Sequence, residues 1–159
     1  MADQRIYLDH NATTPLDPAV FEAMRPYLID LHGNASSIEH IDGQIAQRAV
    51  ERAREQVAAA IGARPNEIVF TGSCTEANNI AILGAARAAQ EPQHIVTSTI
   101  EHHAVLGPIA ALERDGWSVT RVAPDGEGLI DPTAVAAAIS GHWVAMLWVV
   151  ANTWPSRNT

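Results

Sequence analysis

The stretch Glu67–Asn79, EIVFTGSCTEANN, narrows the possible folds more than any other part of the sequence. Glu67-Ile68-Val69-Phe70 is a β-rich run of strand length, bounded upstream by Arg64-Pro65-Asn66, and Gly72 marks a turn. Ser73 stands three residues before Glu76, the spacing of a helix capping box. In such a box the Ser73 hydroxyl accepts from the Glu76 amide, and the Glu76 carboxylate reaches back to Ser73. The amides of Cys74 and Thr75 then lie in the first turn without an intrahelical acceptor. They point out at the positive end of the helix dipole, where a phosphate binds readily, and the Thr75 hydroxyl adds a donor. Capping boxes are common, and a capped helix with no ligand is the ordinary alternative.

The rest of the chain alternates in the same manner. Ile6-Tyr7-Leu8 reads as a short strand, followed by the polar loop Asp9 to Pro15. Asp17-Pro18 is an N-cap with proline at the first helical position, and Val20, Met24 and Leu28 recur on one helix face. Pro26 should kink or shorten that helix. The loop His32 to Ser37 precedes a long helix, Gly43 to Ile61, with Ile45, Ala49, Ala53 and Val57 as its buried stripe and Gly62 as its stop. His40, just before it, reads as a structural or surface histidine.

After Ser73 the spacing predicts a helix whose packed face is Ala77, Ile80, Ala81, Gly84 and Ala88. His94 to Ser98 follows as a strand, with Glu101-His102-His103 at its carboxyl end, where open α/β sheets gather their ligands. That reading puts His102 near the same edge as Thr75. Adjacent histidines face different ways, which argues against a shared metal site. Pro108 should begin or kink the next helix, and Gly116 should end it. Trp117 to Val122 reads as a strand, Asp125-Gly126 as a turn, Asp131-Pro132 as a helix start running to Ile139, and Trp143 to Val150 as a buried strand. The alternation predicts a mainly parallel α/β sheet.

Composition removes several classes of function. A length of 159 residues suffices for a domain with a real core. A net charge of −8 argues against a broad nucleic-acid or membrane surface, and no apolar run has transmembrane length. The amino terminus has no apolar signal core, so a cytoplasmic location is expected. Cys74 is the one cysteine, which leaves no internal disulfide and no cysteine-based metal site.

The motifs YLDHNATTPLDP from Tyr7, GNASSIEHIDG from Gly33, EIVFTGSCTEANN from Glu67, HIVTSTIEHHAVL from His94 and GLIDP from Gly128 together resemble the amino-terminal part of a cysteine desulfurase. These enzymes belong to the class V group that uses pyridoxal phosphate (PLP). The motifs keep the family's order and nearly its spacing to about Asn152. The resemblance implies the fold-type-I architecture of PLP-dependent transferases, a mainly parallel sheet with flanking helices, the large domain being incomplete. It divides the chain into residues 1–15 of a small domain, 16–152 of a partial PLP-binding domain and a divergent tail, 153–159. Cys74 and Thr75 take the positions that bind the PLP phosphate. His102 takes the position that stacks on the ring and is a candidate for proton transfer, and Asn152 falls beside the cofactor. Asn11, Ala12 and Thr13 resemble the segment beside the substrate carboxylate, and Asn34 resembles a residue at the site's periphery. The implied substrate is L-cysteine, giving L-alanine and an enzyme persulfide for iron–sulfur or thio-cofactor assembly. The implied partners are a second copy of the chain and a sulfur-accepting protein.

The sequence departs from the family at several points. Gly72-Ser73 reverses the usual order, and Cys74 stands where alanine is frequent. Cys74 is also not the family's sulfur-accepting cysteine, which lies on a mobile loop much later. Thr153 stands where an asparagine facing the cofactor is expected. All ten basic residues are arginine, so the 159 residues contain no lysine to join the cofactor covalently. A truncated or frame-shifted product, inactive alone and prone to self-association, is therefore expected. The alternatives are another class V enzyme (a selenocysteine lyase or an aminotransferase), a non-catalytic phosphate-binding fragment, or an α/β domain with no ligand.

Overall fold

The computed structural model describes residues 6–139, apart from residues 11 and 90. They form two compact units that divide between Phe70 and Thr71.

The first unit is helical. Helix α1, Pro18–Ile29, starts where Asp17 Oδ1 accepts from the Ala19 amide at 2.7 Å, with Pro18 supplying a preset φ. It continues through Pro26 to Ile29, so the proline neither ends nor shortens it. No residue of α1 is buried, and the expected face of Val20, Met24 and Leu28 is open to solvent. Helix α2, Ile41–Ile61, begins two residues before the expected Gly43 because His40 is its cap: the ring Nδ1 accepts from the Gly43 amide at 3.2 Å. Gly62 ends it in the left-handed region at φ 70°. The buried residues of α2 are Gly43 and Ala58; Ile45, Ala49 and Ala53 are half-buried and Val57 is exposed. The stripe is displaced because the loop before α2 packs its backbone on the first turn. A Cβ on Gly43 would lie 1.7 Å from the Ser37 carbonyl oxygen.

Two expected strands are absent. Ile6-Tyr7-Leu8 is exposed and irregular, and among the described residues no strand lies beside it. In place of a strand over Glu67–Phe70 there is a 3₁₀ turn, Pro65–Glu67, and then extended chain. The Glu67 carboxylate folds back onto the Arg64 amide at 2.8 Å and pairs with the Arg64 guanidinium at 2.8 Å. That ion pair lowers the Glu67 pKa. The Arg54 guanidinium donates to the Ile68 carbonyl oxygen and lies over the Phe70 ring, 5.1 Å from its centroid. The turn takes the Glu67 and Ile68 amides and Arg54 takes the Ile68 carbonyl oxygen, so these groups are not free for a ladder.

The second unit is layered. It comprises α3 (Cys74–Ala88), β1 (His94–Ser98), α4 (His103–Arg114), β2 (Ser118–Val122) and α5 (Pro132–Ala138). β1 and β2 pair in parallel, His94 opposite Ser118 and Ser98 opposite Val122. The connection through α4 is the helical crossover that a parallel pair requires. Ile95 packs under Ile82, Ala86, Val105, Ile109, Leu112 and Trp117 from α3, α4 and the turn before β2. On the other face Val96 and Val122 meet Val135 of α5. Helices thus cover both faces, as a parallel pair demands. Two helices differ from the pattern expected. The inward face of α3 is Asn78, Ile82 and Ala86, with Ile80 turned outward at 51% exposure. α4 begins at His103 rather than at Pro108, which lies buried inside the helix. The Asp125-Gly126 turn forms as expected, Asp125 Oδ1 accepting from the Glu127 and Leu129 amides at 2.9 Å each. The expected strand Trp143–Val150 and the tail 153–159 lie outside the described residues.

Candidate functional site

The entry to α3 carries the donor set. Ser73 is the N-cap, its Oγ accepting from the Glu76 amide at 3.1 Å. The return arm differs from the reciprocal box: Glu76 Oε2 takes the Gly72 amide at 2.7 Å, one residue earlier than Ser73. The turn before the helix is closed by the Thr71 hydroxyl, which donates to the Ser73 carbonyl oxygen at 3.0 Å. With Gly72 and Glu76 satisfied in this way, the amides of Cys74 and Thr75 are engaged by no described group. Both residues are exposed. Cys74 Sγ accepts from Asn78 Nδ2 at 3.6 Å, which draws the thiol along the helix flank. The arrangement offers two backbone donors at a helix amino terminus, with the Thr75 side chain alongside.

His102 is the N-cap of α4, four residues beyond the end of β1. Its Nδ1 accepts from the Ala104 amide at 3.0 Å, so in the neutral ring the proton is on Nε2. The ring is exposed, with the His103 ring 6.2 Å away at an interplanar angle of 61°. No group of three or more metal-ligating side chains occurs among the described residues.

The remaining expected site residues belong to the first unit or fall outside the described residues. Ala12 and Thr13 are exposed, and both amides turn back on the Asp9 carbonyl oxygen at 3.1 and 3.3 Å. Asn34 is exposed and makes an Asx turn, Oδ1 accepting from the Ser36 amide at 2.9 Å. Asn11 and Asn152 lie outside the described residues. One group escaped the reading of motifs. Thr97, Ser98 and Glu101 form a buried polar row at the carboxyl end of β1. The Ser98 hydroxyl donates to Glu101 Oε1 at 3.3 Å, whereas Glu101 Oε2 and Thr97 Oγ1 have no partner among the described residues. An acidic residue three places after a strand reads as solvated turn, and periodicity gives no sign that this one is turned inward.

The Aminotransferase class-V family pattern matches residues 6–153. The chain is 50% identical over 148 residues to "Cysteine desulfurase IscS" of Anaeromyxobacter sp. (strain K), covering 92% of this chain and 37% of the relative. It is 47% identical over 150 residues to the protein of the same name from Dictyoglomus turgidum, covering 94% and 38%. Among solved structures, "SspA in complex with cysteine" superposes with a TM-score of 0.81 at 39% identity, over 89% of this chain and 41% of that one. The apo cysteine desulfurase from Thermococcus onnurineus NA1 gives 0.79 at 32% identity, over 89% and 36%. The chain thus spans little more than a third of the relatives it matches. Its fold is that of the PLP-dependent cysteine desulfurases over this part of their length. With the capped entry to α3, the parallel β1–α4–β2 unit and a match over almost the whole sequence, the chain belongs to the aminotransferase class-V family.

Proposed function

We propose that the chain is the amino-terminal part of a PLP-dependent cysteine desulfurase, with the first turn of α3 as the cradle for the cofactor phosphate. The observation that carries this reading is the pair of unengaged amides at Cys74 and Thr75, left over by the Ser73 and Glu76 caps. They and the Thr75 hydroxyl are donors of the kind a phosphate dianion takes. His102 offers an exposed ring for stacking, with the Nε2 proton on the side away from its cap. Asn11, Ala12, Thr13 and Asn34 are assigned to the substrate side, and Asn152 to the cofactor. Bound PLP supplies an electron sink for bonds broken at the α-carbon of an amino acid. The substrate is L-cysteine, and the sulfur passes to an acceptor protein from a homodimeric enzyme. Residues 1–15 belong to a small domain, 16–152 to the large one and 153–159 to a divergent tail.

The second reading, a phosphate-binding fragment without catalysis, is favoured by one fact: the 159 residues hold no lysine. No side chain in this sequence can form the Schiff base with the cofactor or serve as the lysine base. The single thiol, Cys74, flanks the phosphate turn, a poor place from which to accept sulfur. The 159-residue chain by itself is therefore expected to release no sulfide or alanine from L-cysteine beyond the background of free PLP. Binding is tested separately with pyridoxine phosphate, which needs no lysine. Saturable binding is expected, weakened roughly 10- to 100-fold in Thr75→Ala, the equivalent of about 1.5–3 kcal/mol for a hydrogen bond to a charged group. Absent binding, or equal affinity in the variant, removes the cradle. Turnover above background removes the argument from the missing lysine.

A further inference from the structure

Between the last residue of β1 and the cap of α4, the chain turns only one side chain inward. Thr99, Ile100 and His102 are exposed, and Glu101 is 8% exposed. Glutamate is rarely so buried without a partner. Its single side-chain bond among the described residues is to Ser98, itself 1% exposed and the terminal residue of the strand. The Thr99 amide adds a backbone tie to the Val122 carbonyl oxygen at 3.0 Å. Downstream, His102 is held by α4: its carbonyl oxygen accepts from the Val105 amide at 2.8 Å and its ring from the Ala104 amide. The Ser98–Glu101 bond is thus the one side-chain link that joins the rigid strand to the residue before His102. An apolar side chain would fill the same space without leaving a carboxylate oxygen unpartnered.

We propose that Glu101 is a positioning residue for His102. Through Ser98 it fixes the turn from β1 to α4, and so the setting and tautomer of the His102 ring. The inference rests on the reading of His102 as the ring-stacking residue, but its test needs no cofactor. The whole 159-residue chain is labelled with ¹⁵N-histidine, and His102 is assigned by its loss in His102→Asn, which keeps a capping side chain. In the neutral wild-type ring Nε2 carries the proton and Nδ1 is bare. Glu101→Ala and Ser98→Ala should each lose this separation and give averaged ring signals. Glu101→Gln, whose amide oxygen still accepts from Ser98, should keep it. Unchanged signals in Ser98→Ala overturn the proposal, as does loss of the separation in Glu101→Gln. If Glu101→Ala fails to fold, Ser98→Ala decides. If neither folds, the role is structural only and the proposal fails. Failure of pyridoxine phosphate binding leaves these outcomes intact and strikes only the functional reading.

Discussion

Replacing Ile82 by alanine tests how α3 is rotated on the sheet, and with it the direction in which its first turn presents Thr75. Ile82 is 0% exposed among Ala86, Ile95, Val105, Ile109 and Leu112. The change removes about three buried carbons at ~0.8 kcal/mol each, and the cavity left behind brings the cost to roughly 3–4 kcal/mol. Ile80, two residues away, is 51% exposed and closes no cavity, so Ile80→Ala should cost ~1 kcal/mol or less. Amide exchange at Ile95 and Thr97 of β1, whose amides face β2 in the parallel register, reports the opening of this unit without reference to the first. Ile82→Ala should speed that exchange on the order of 100-fold or more, and Ile80→Ala by about fivefold or less. If Ile80→Ala accelerates exchange as much as Ile82→Ala, the face of α3 assigned here is wrong.

Gly43→Ala should lower the melting temperature by disrupting the close approach of Ser37 to α2, at a cost of about 1–3 kcal/mol. Gly84→Ala should raise it, through about 0.5–1 kcal/mol of added stability, because a Cβ there meets nothing within 4 Å and the site is inside a helix. Thermal melts followed by circular dichroism check the opposite signs. The Glu113–Arg121 pair predicts a pH dependence, since the Arg121 guanidinium lowers the Glu113 pKa below the ordinary carboxyl value of 4.5. A lowered folded value means that the pair contributes above 4.5 and is lost as pH falls through the folded value. The gap in urea midpoint between wild type and Arg121→Gln should be constant above 4.5 and shrink below it. A gap that widens on acidification contradicts this reading.

Features set by short-range chemistry were legible in the sequence. Asp17-Pro18, Ser73 with Glu76, Gly62, Asp125-Gly126 and Asp131-Pro132 all act within a few residues, through a side chain that meets its own backbone or a φ that only glycine takes easily. β1 was legible because Ile95 and Val96 are buried on opposite faces, so burial follows the residues themselves. The motifs that resemble the class V family were also visible before any geometry, because they are strings of identity rather than of packing.

Partners distant along the chain decided the rest. Glu67–Phe70 has strand propensity, yet Arg54 from the preceding helix takes the Ile68 carbonyl oxygen and no strand among the described residues pairs with the segment. α1 has an apolar stripe that nothing described covers, so periodicity there did not amount to burial. The faces of α2 and α3 are offset from their stripes because contact depends on which neighbour arrives: the loop at Ser37 for α2, and Ile95 with α4 for α3. His40 is a cap only because its ring lies within reach of the Gly43 amide. Glu101 is an acid in a short turn by sequence. The end of β1 and the hydroxyl of Ser98 make it a buried one, because desolvation is a property of what surrounds a side chain and not of the side chain itself.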